Sequence, residues 1–414
     1  MQTTISESLA SDPRAIAAEV VLRKCVHCGF CLATCPTYNL LGDELDSPRG
    51  RIYLIKQVVE GHTPTASTRT HLDRCLTCRS CETTCPSGVE YGHLVDLGRS
   101  LVEEMVPRSG SDYWKRKAIL SVLPYSIRVK PLVKLGQALR PVLPQSLASS
   151  VPPRQQIKAL PSRTQARQML VLDGCVQPSM APATNISAAR VLDAFGITLK
   201  NAEKSGCCGA VHYHLNEQEK AKQLIRQNID AWWPSVTAGC EAIITTASGC
   251  GVMVKDYGHI LADDPDYAQK AQTISELSKD IVEVMVEVLE KEDLSGFRER
   301  AAAMGKVAFH SPCTLQHGQK LPLVTESLLG RFGFNLSFVN DAHICCGSAG
   351  TYSIFQPELS HQLRDNKLKS LLADEPDIIA TANIGCQLHL QGGSGRSVVH
   401  WVELIDQLVN EETV

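Results

Sequence analysis

The chain has no run of 18 apolar residues, so no transmembrane helix is expected. Its opening, Met1 to Pro13, is polar and has no apolar core, so no export signal is expected. No Gly-x-Gly-x-x-Gly follows a predicted strand, and the chain therefore lacks a dinucleotide fingerprint of its own. Acidic residues vanish over one long stretch: Tyr113 to Leu172 holds no Asp or Glu. The aromatics of that stretch, Tyr113, Trp114 and Tyr125, form no stacking series, which argues against nucleic acid as a partner.

Cysteine is what the chain has in excess, 17 in 414 residues. An odd count argues against a fully paired disulfide scaffold, and thiols without an export signal point to a reducing cytoplasm. The length suits two or three domains, and a net charge of -3 excludes little. Eight cysteines fall in two copies of one spacing. The first is Cys25-x-x-Cys28-x-x-Cys31-x-x-x-Cys35-Pro36, the second Cys75-x-x-Cys78-x-x-Cys81-x-x-x-Cys85-Pro86. This is the run that holds a pair of [4Fe–4S] cubanes. Three closely spaced cysteines wrap three corners of one cube. The fourth cannot close that cube without strain, so it reaches across to the other. The expected ligands are Cys25, Cys28, Cys31 and Cys85 for one cluster, and Cys75, Cys78, Cys81 and Cys35 for the other. A zinc ribbon pairs two Cys-x-x-Cys units and does not need the third and fourth cysteine.

Residues 14–24 read as a helix leading into the first run. Between the runs, Ser47 is placed to cap a second helix that carries Ile52, Leu54, Ile55, Val58 and Val59. Arg49 and Arg51 on that helix either offset cluster charge or sit at a solvated helix start. The helical spacers predict an α-helical two-cluster module. A basic connector follows, broken by seven prolines between Pro124 and Pro161 and rich in apolar residues. It is either a linker that covers a domain or a docking surface for an acidic partner or an anionic membrane face.

From Gln168 the pattern alternates strands and helices. Strands are expected at 169–172, 197–199 and 242–247, and helices at 186–195, 217–233 and 275–288. The order then recurs. Cys175 to Cys207 and Cys313 to Cys345 are both 32 residues, and Cys207-Cys208-Gly209 is echoed by Cys345-Cys346-Gly347. Strands are predicted at 306–310 and 377–382, with a helix at 322–332. Cys175, Cys250, Cys313 and Cys386 each follow a predicted strand, at the edge where open α/β sheets build sites. Gly206 and Gly209 are expected to allow close backbone approach beside the paired cysteines. Each half thus gathers four sulfurs, Cys175, Cys207, Cys208 and Cys250, then Cys313, Cys345, Cys346 and Cys386, which suits a further Fe–S cluster or buried structural cysteine. Cys240 has no counterpart and reads as a lone core thiol. His310, His317, His343 and His389 gather near the second half, as tuning groups, ligands or ordinary histidines. His27 and His93 lie near the ferredoxin-type runs.

The Cys-Cys-Gly repeats resemble the CCG domain of heterodisulfide reductase subunits and of iron–sulfur subunits of flavin-linked dehydrogenases. In several CCG proteins the last cysteine opens a Cys-x-x-Cys; here Met253 and His389 stand at the second position. That removes one thiolate per half and counts against disulfide reduction. Two ferredoxin runs followed by two CCG repeats resemble the glycolate oxidase iron–sulfur subunit family. The likeness extends to 33–38, 42–46, 49–56, Asp230-Ala231-Trp232-Trp233-Pro234 and Pro312-Cys313-Thr314-Leu315-Gln316-His317.

The resemblance implies a subunit of a heteromeric glycolate dehydrogenase. FAD-bearing partner subunits oxidise glycolate to glyoxylate, and this chain passes the electrons to a quinone or other acceptor, with its catalytic residues unknown. It implies a cytoplasmic protein, often found at the inner membrane face; where the basic stretch 113–172 is a docking surface, it is the expected place of that peripheral contact. The expected division is 1–110 for the two-cluster module, 111–166 for the connector, 167–300 for CCG repeat 1 and 301–414 for CCG repeat 2. The alternatives are a lactate or glycerol-3-phosphate dehydrogenase subunit, a CCG reductase, and a scaffold with empty CCG halves.

Overall fold

The computed structural model describes residues 1–144 and 151–410. The connector's residues 145–150 and the final 411–414 of repeat 2 lie outside the described residues.

No strand precedes Arg167 among the described residues, as the helical spacers predict. Helix Pro13–Lys24 starts where the Asp12 carboxylate accepts the Arg14 N–H at 2.8 Å, with proline at the first helical position, where its missing N–H costs nothing. Helix Pro48–Val59 repeats the arrangement: the Ser47 hydroxyl accepts the Gly50 N–H at 2.9 Å. Both turn apolar faces toward helix Tyr91–Met105. Gly98 permits that approach, because a Cβ there would lie 2.5 Å from Ile55 Cγ1. The shared core holds Leu22, Ile55, Val59, Leu94 and Leu101 together with Cys25, Cys75 and Cys81. The two cysteine runs are thus pinned to the ends of helices that are themselves fixed by packing.

Two four-stranded parallel sheets follow. The first has order β2-β1-β3-β4, with β1 Arg167–Val171, β2 Ile197–Asn201, β3 Ile243–Thr245 and β4 Ser278–Asp280. The second has order β6-β5-β7-β8, with β5 Lys306–His310, β6 Asn335–Leu336, β7 Ile378–Thr381 and β8 Ser397–His400. The same order in both halves matches the repeat seen in the sequence. The halves share one core: Ala188, Val191 and Leu192 of helix Ala183–Ala194 pack with Trp401, Val402 and Ile405 of helix Trp401–Asn410. Asp406 stitches the seam, accepting from Ser187 at 3.0 Å and Arg190 at 2.9 Å.

The expected helix over 275–288 is instead helix Ala268–Leu277, strand β4 and helix Ile281–Val288. Asp280 is the reason. Its carboxylate caps the third segment in a reciprocal box with Glu283, which fixes an extended residue where the periodicity alone runs through. Strands β6 and β8 were not expected; they are two and four residues long, and short edge strands leave little pattern.

Candidate metal centres

Cys25 ends helix Pro13–Lys24. The chain then passes through His27 at φ 56° and Gly29 at φ 84°, left-handed positions that curl it around a centre. Cys25, Cys28 and Cys31 line a cavity with about 440 Å³ of atom-free space, and Cys85 of the other run lines it with them. The second run turns the same way, through Thr77 at φ 54° and Arg79 at φ 59°. Cys78 and Cys81 lie close enough to Cys75 and to Cys35 of the first run for these sulfurs to act on their ionisation. Cys81 also lines the first cavity, and Cys35 also acts on Cys31, so all eight sulfurs of the two runs gather in one region.

These thiols fit a metal cluster on their own chemistry. Burial pushes Cys31 up to about 11 and raises Cys25, Cys78 and Cys81 as well. A buried thiolate is unfavourable until a cation takes the proton's place, which is how metal binding couples to a site of this kind. Donors are already aimed at the sulfur: the Thr77 N–H lies 3.4 Å from Cys75 Sγ, and the Tyr91 hydroxyl 3.6 Å from it.

Arg49 and Arg51 have separate roles. Arg49 lines the first cavity, half-exposed, and pairs with Glu44 at 2.7 Å. Arg51 is 1% exposed. It donates to the His71 carbonyl at 2.7 Å and to the Thr37 hydroxyl at 3.1 Å, and pairs with Asp46 at 3.2 Å. Burial opposes its charge, and the Asp46 carboxylate beside it favours it. Its burial excludes a solvated helix start, and Cys75 and Cys35 lie near enough for its charge to act on the second set.

In repeat 1, Cys175, Cys207, Cys208 and Cys250 form one chain of sulfur contacts. The neighbouring sulfurs of Cys207 and Cys250 hold the Cys208 thiol down, while Cys175 and Cys208, with burial, push Cys207 up, and Cys208, with burial, pushes Cys250 up. The turn is held from outside: Asn228 donates to the Cys207 carbonyl at 2.8 Å, and Tyr257 to the Cys208 carbonyl at 2.9 Å. Gly209 has φ 93°, and its N–H points at Cys207 Sγ at 3.5 Å. Gly206, expected to share that role, has open space around it; only Gly209 is required. Cys240 sits half-buried outside this group, its thiol 3.2 Å from the Ala242 carbonyl.

Repeat 2 copies the arrangement. Gly347 has φ 86°, with its N–H 3.4 Å from Cys345 Sγ. Cys313 and Cys345 sulfurs are 3.7 Å apart, and Asn383 Nδ2 lies 3.5 Å from Cys386 Sγ. A ring nitrogen of His310 lies with the sulfurs of Cys346 and Cys386 inside a 4.8 Å group. The other histidines are placed differently. His317 bridges Thr83 at 2.9 Å and the His343 carbonyl at 3.1 Å, and His389 Nε2 is held by Ser360 at 3.2 Å. Lys367, missed by the sequence reading, is a buried ammonium beside Cys345 and Cys346, donating to the Asp341 carbonyl at 2.7 Å. Its one signal is its place on the inward stripe Ser360, Leu363, Lys367, Leu371 of helix Pro357–Leu372.

The centres are adjacent. Cys78 packs in one apolar cluster with Leu76, Cys313, Cys345 and Tyr352, so the second set of the module abuts the sulfurs of repeat 2. On the repeat 1 side lies a second cavity, with about 520 Å³ of atom-free space, lined by Cys78, Arg79, His93, Asp96, His214, Met253 and Asp256. Asp256 pairs with Arg79 at 2.6 Å and lies 3.7 Å from His93. Burial would raise Asp256, but His93 and Arg79 hold it at about 2; burial would lower His93, but Asp256 raises it. The raised His93 contributes stability in full below its unfolded pKa of about 6.5, lost as pH climbs through the folded value. The depressed Asp256 contributes above about 3.8, lost as pH falls toward the folded value. The contact between module and repeat 1 is therefore firmest between roughly pH 4 and 6.5. Hydrogen exchange of helix Tyr91–Met105 is expected to speed up as pH rises above that window, and Asp256→Asn to flatten the rise; an unchanged slope would show that the pair is not the cause.

Comparison with known proteins agrees with this layout. The family described as 4Fe-4S dicluster domain matches residues 21–89, and the Cysteine-rich domain family matches 169–255 and 307–391. The chain is 51% identical to the "Glycolate oxidase iron-sulfur subunit" of Escherichia coli (strain K12), over 100% of both chains. It is 30% identical to the "Probable glycolate oxidase iron-sulfur subunit" of Bacillus subtilis (strain 168), over 95% of both. "Lactate utilization protein A" of Exiguobacterium sp. (strain ATCC BAA-1283 / AT1b) is 25% identical over 57% of this chain and 96% of its own length.

Proposed function

Because the chain belongs to the family of glycolate oxidase iron–sulfur subunits, we infer that it is the electron-carrying part of a complex whose FAD-bearing partner oxidises glycolate to glyoxylate. The observation that carries this reading is the adjacency of the sulfur sites, from the cavity around Cys28 to Cys78 and on to Cys313 and Cys345. When bound, [4Fe–4S] clusters at the two crossed cysteine sets take up and release single electrons. The chain's own residues hold the thiols in place, donate to Cys75 Sγ, and set Arg51 and Lys367 against the negative charge. The four-part division of the chain at 110, 166 and 300 follows these roles.

The partner's place is suggested by what surrounds Cys28. That cysteine is exposed, and Val26 and Phe30 on either side are 67% and 62% exposed. An exposed apolar rim around the outermost sulfur suits a flavoprotein surface. The double variant Val26→Asp/Phe30→Asp is expected to keep its iron but to lose co-purification with the flavoprotein and glycolate-driven dye reduction. Turnover of the intact complex on glycolate, lactate and glycerol 3-phosphate tests the substrate; preference for either of the latter two would overturn the glycolate assignment.

The acceptor is read as a quinone or similar carrier, reached at the cytoplasmic membrane face. No helix of the described residues is long and apolar enough to cross a membrane. Helix Ser126–Leu139 instead leaves Ile127, 82% exposed, with Leu132, Leu135 and Leu139 outside, among the exposed Lys130 and Lys134. An apolar stripe edged by lysine suits an anionic lipid surface. Part of the basic stretch is used internally, since Arg116 pairs with Asp112 and Lys117 with Glu217. The second cavity, with Cys78 and the His93–Asp256 pair, offers an acceptor both an electron route and a proton.

A further inference from the structure

Repeat 2 holds one group that repeat 1 lacks and that electron transfer as described does not use. His310 ends strand β5, three residues before Cys313. The residue three before Cys175 in repeat 1 is Leu172. His310 is 2% exposed, and its Nε2 has no hydrogen-bond partner. A buried imidazole nitrogen without a partner is costly, so the position demands something that takes the lone pair. What faces it is sulfur: a ring nitrogen of His310 and the thiols of Cys346 and Cys386 all lie within 4.8 Å of one another.

The obvious substitute for the missing cysteine is not in play. His389 stands at the second position of the incomplete Cys-x-x-Cys, yet its Nε2 is held by the Ser360 hydroxyl and carbonyl. His317 has both ring nitrogens bonded. The lost ligand in the sequence and the free nitrogen in the fold are therefore different residues, on different elements.

We propose that His310 is a nitrogen ligand to an iron of the centre held by Cys313, Cys345, Cys346 and Cys386, which makes repeat 2 a mixed sulfur–nitrogen site beside an all-sulfur repeat 1. The proposal rests on the reading that these four cysteines hold iron. Imidazole is neutral, so it adds a ligand without adding charge to the four thiolates, whereas a cysteine in its place would add one negative charge and disfavour the reduced state.

The test uses the full chain prepared without oxygen. Metal analysis is combined with pulsed EPR of the reduced protein, grown with ordinary or ¹⁵N-labelled histidine, for the wild type, His310→Leu and His310→Cys. The expected wild-type result is about twelve to sixteen irons and a strongly coupled nitrogen that responds to the histidine label. His310→Leu loses that coupling. His310→Cys keeps the iron, loses the coupling and shifts the centre's midpoint to lower potential. About twelve to sixteen irons with no labelled nitrogen coupling in the wild type would overturn the ligand assignment alone. About eight irons, with or without bound zinc, would overturn the underlying reading as well. The wild-type spectrum decides even if His310→Leu fails to fold.

Discussion

Cys85→Ala is expected to remove the same metal centre as Cys25→Ala, although Cys85 lies in the other cysteine run. Iron should fall by about four per chain in each, and the reduced EPR spectra of the two variants should superimpose. Cys35→Ala, in turn, should give the spectrum of Cys75→Ala. The reason is geometric: Cys85 lines the cavity of Cys25, Cys28 and Cys31, while Cys35 acts on Cys78 and Cys81. Ligation within each run predicts the opposite pairing, with Cys85→Ala matching Cys75→Ala, and that result would break the assignment. Catalytic loss should be near complete for all four variants in the assembled complex, since each removes one station of a serial route.

Arg51→Met is expected to be the most destabilising single change outside the cysteines. It leaves Asp46 buried with one partner fewer, next to the second cysteine set. Removing one member of a buried pair costs roughly 3–5 kcal/mol, and the lower end applies because Arg74 at 2.8 Å and His71 at 3.2 Å still face Asp46. In urea, at a slope of about 3 kcal/mol per molar, the unfolding midpoint of the module falls by about 1 M. The second cluster's midpoint potential should fall too, since a cation favours the more negative, reduced state. Arg51→Lys separates the effects: charge is kept, while the fork to His71 and Thr37 is lost. A lysine variant as unstable as methionine but with a wild-type potential is the expected pattern. An unchanged potential in Arg51→Met would remove the counter-charge role.

The metal centres were legible because their chemistry is written in local spacing. Cys-x-x-Cys-x-x-Cys commits the backbone to a tight wrap, and a 32-residue cysteine spacing that recurs commits two halves to one plan. The strands that end at His310 and Thr381 were legible for a related reason: buried parallel strands are continuous apolar runs. What stayed hidden depends on residues far apart in the chain. Lys367 beside Cys345 and Asp256 beside Arg79 carry no motif, because nothing in either neighbourhood names the distant partner. His310 was visible as a histidine near a cysteine, but the sequence offered His389 equally. Only the fold shows which ring is already engaged. The helix expected over 275–288 failed for a smaller reason, a capping box that interrupts a good amphipathic period.

The seating of Cys81 has a consequence for biogenesis. That thiol is buried, and the neighbouring Cys78 is packed under Cys313 and Cys345 of the final domain. Iron then reaches the second cysteine set only through the cavities that Cys78 and Cys81 line, so delivery is expected to be easiest before that domain docks. The 232 residues from Cys81 to Cys313 take roughly 10–50 s to synthesise at about 5–20 residues per second. The order of the modules along the chain thus sets a loading window, and a cell short of iron during it makes a chain that closes over an empty seat.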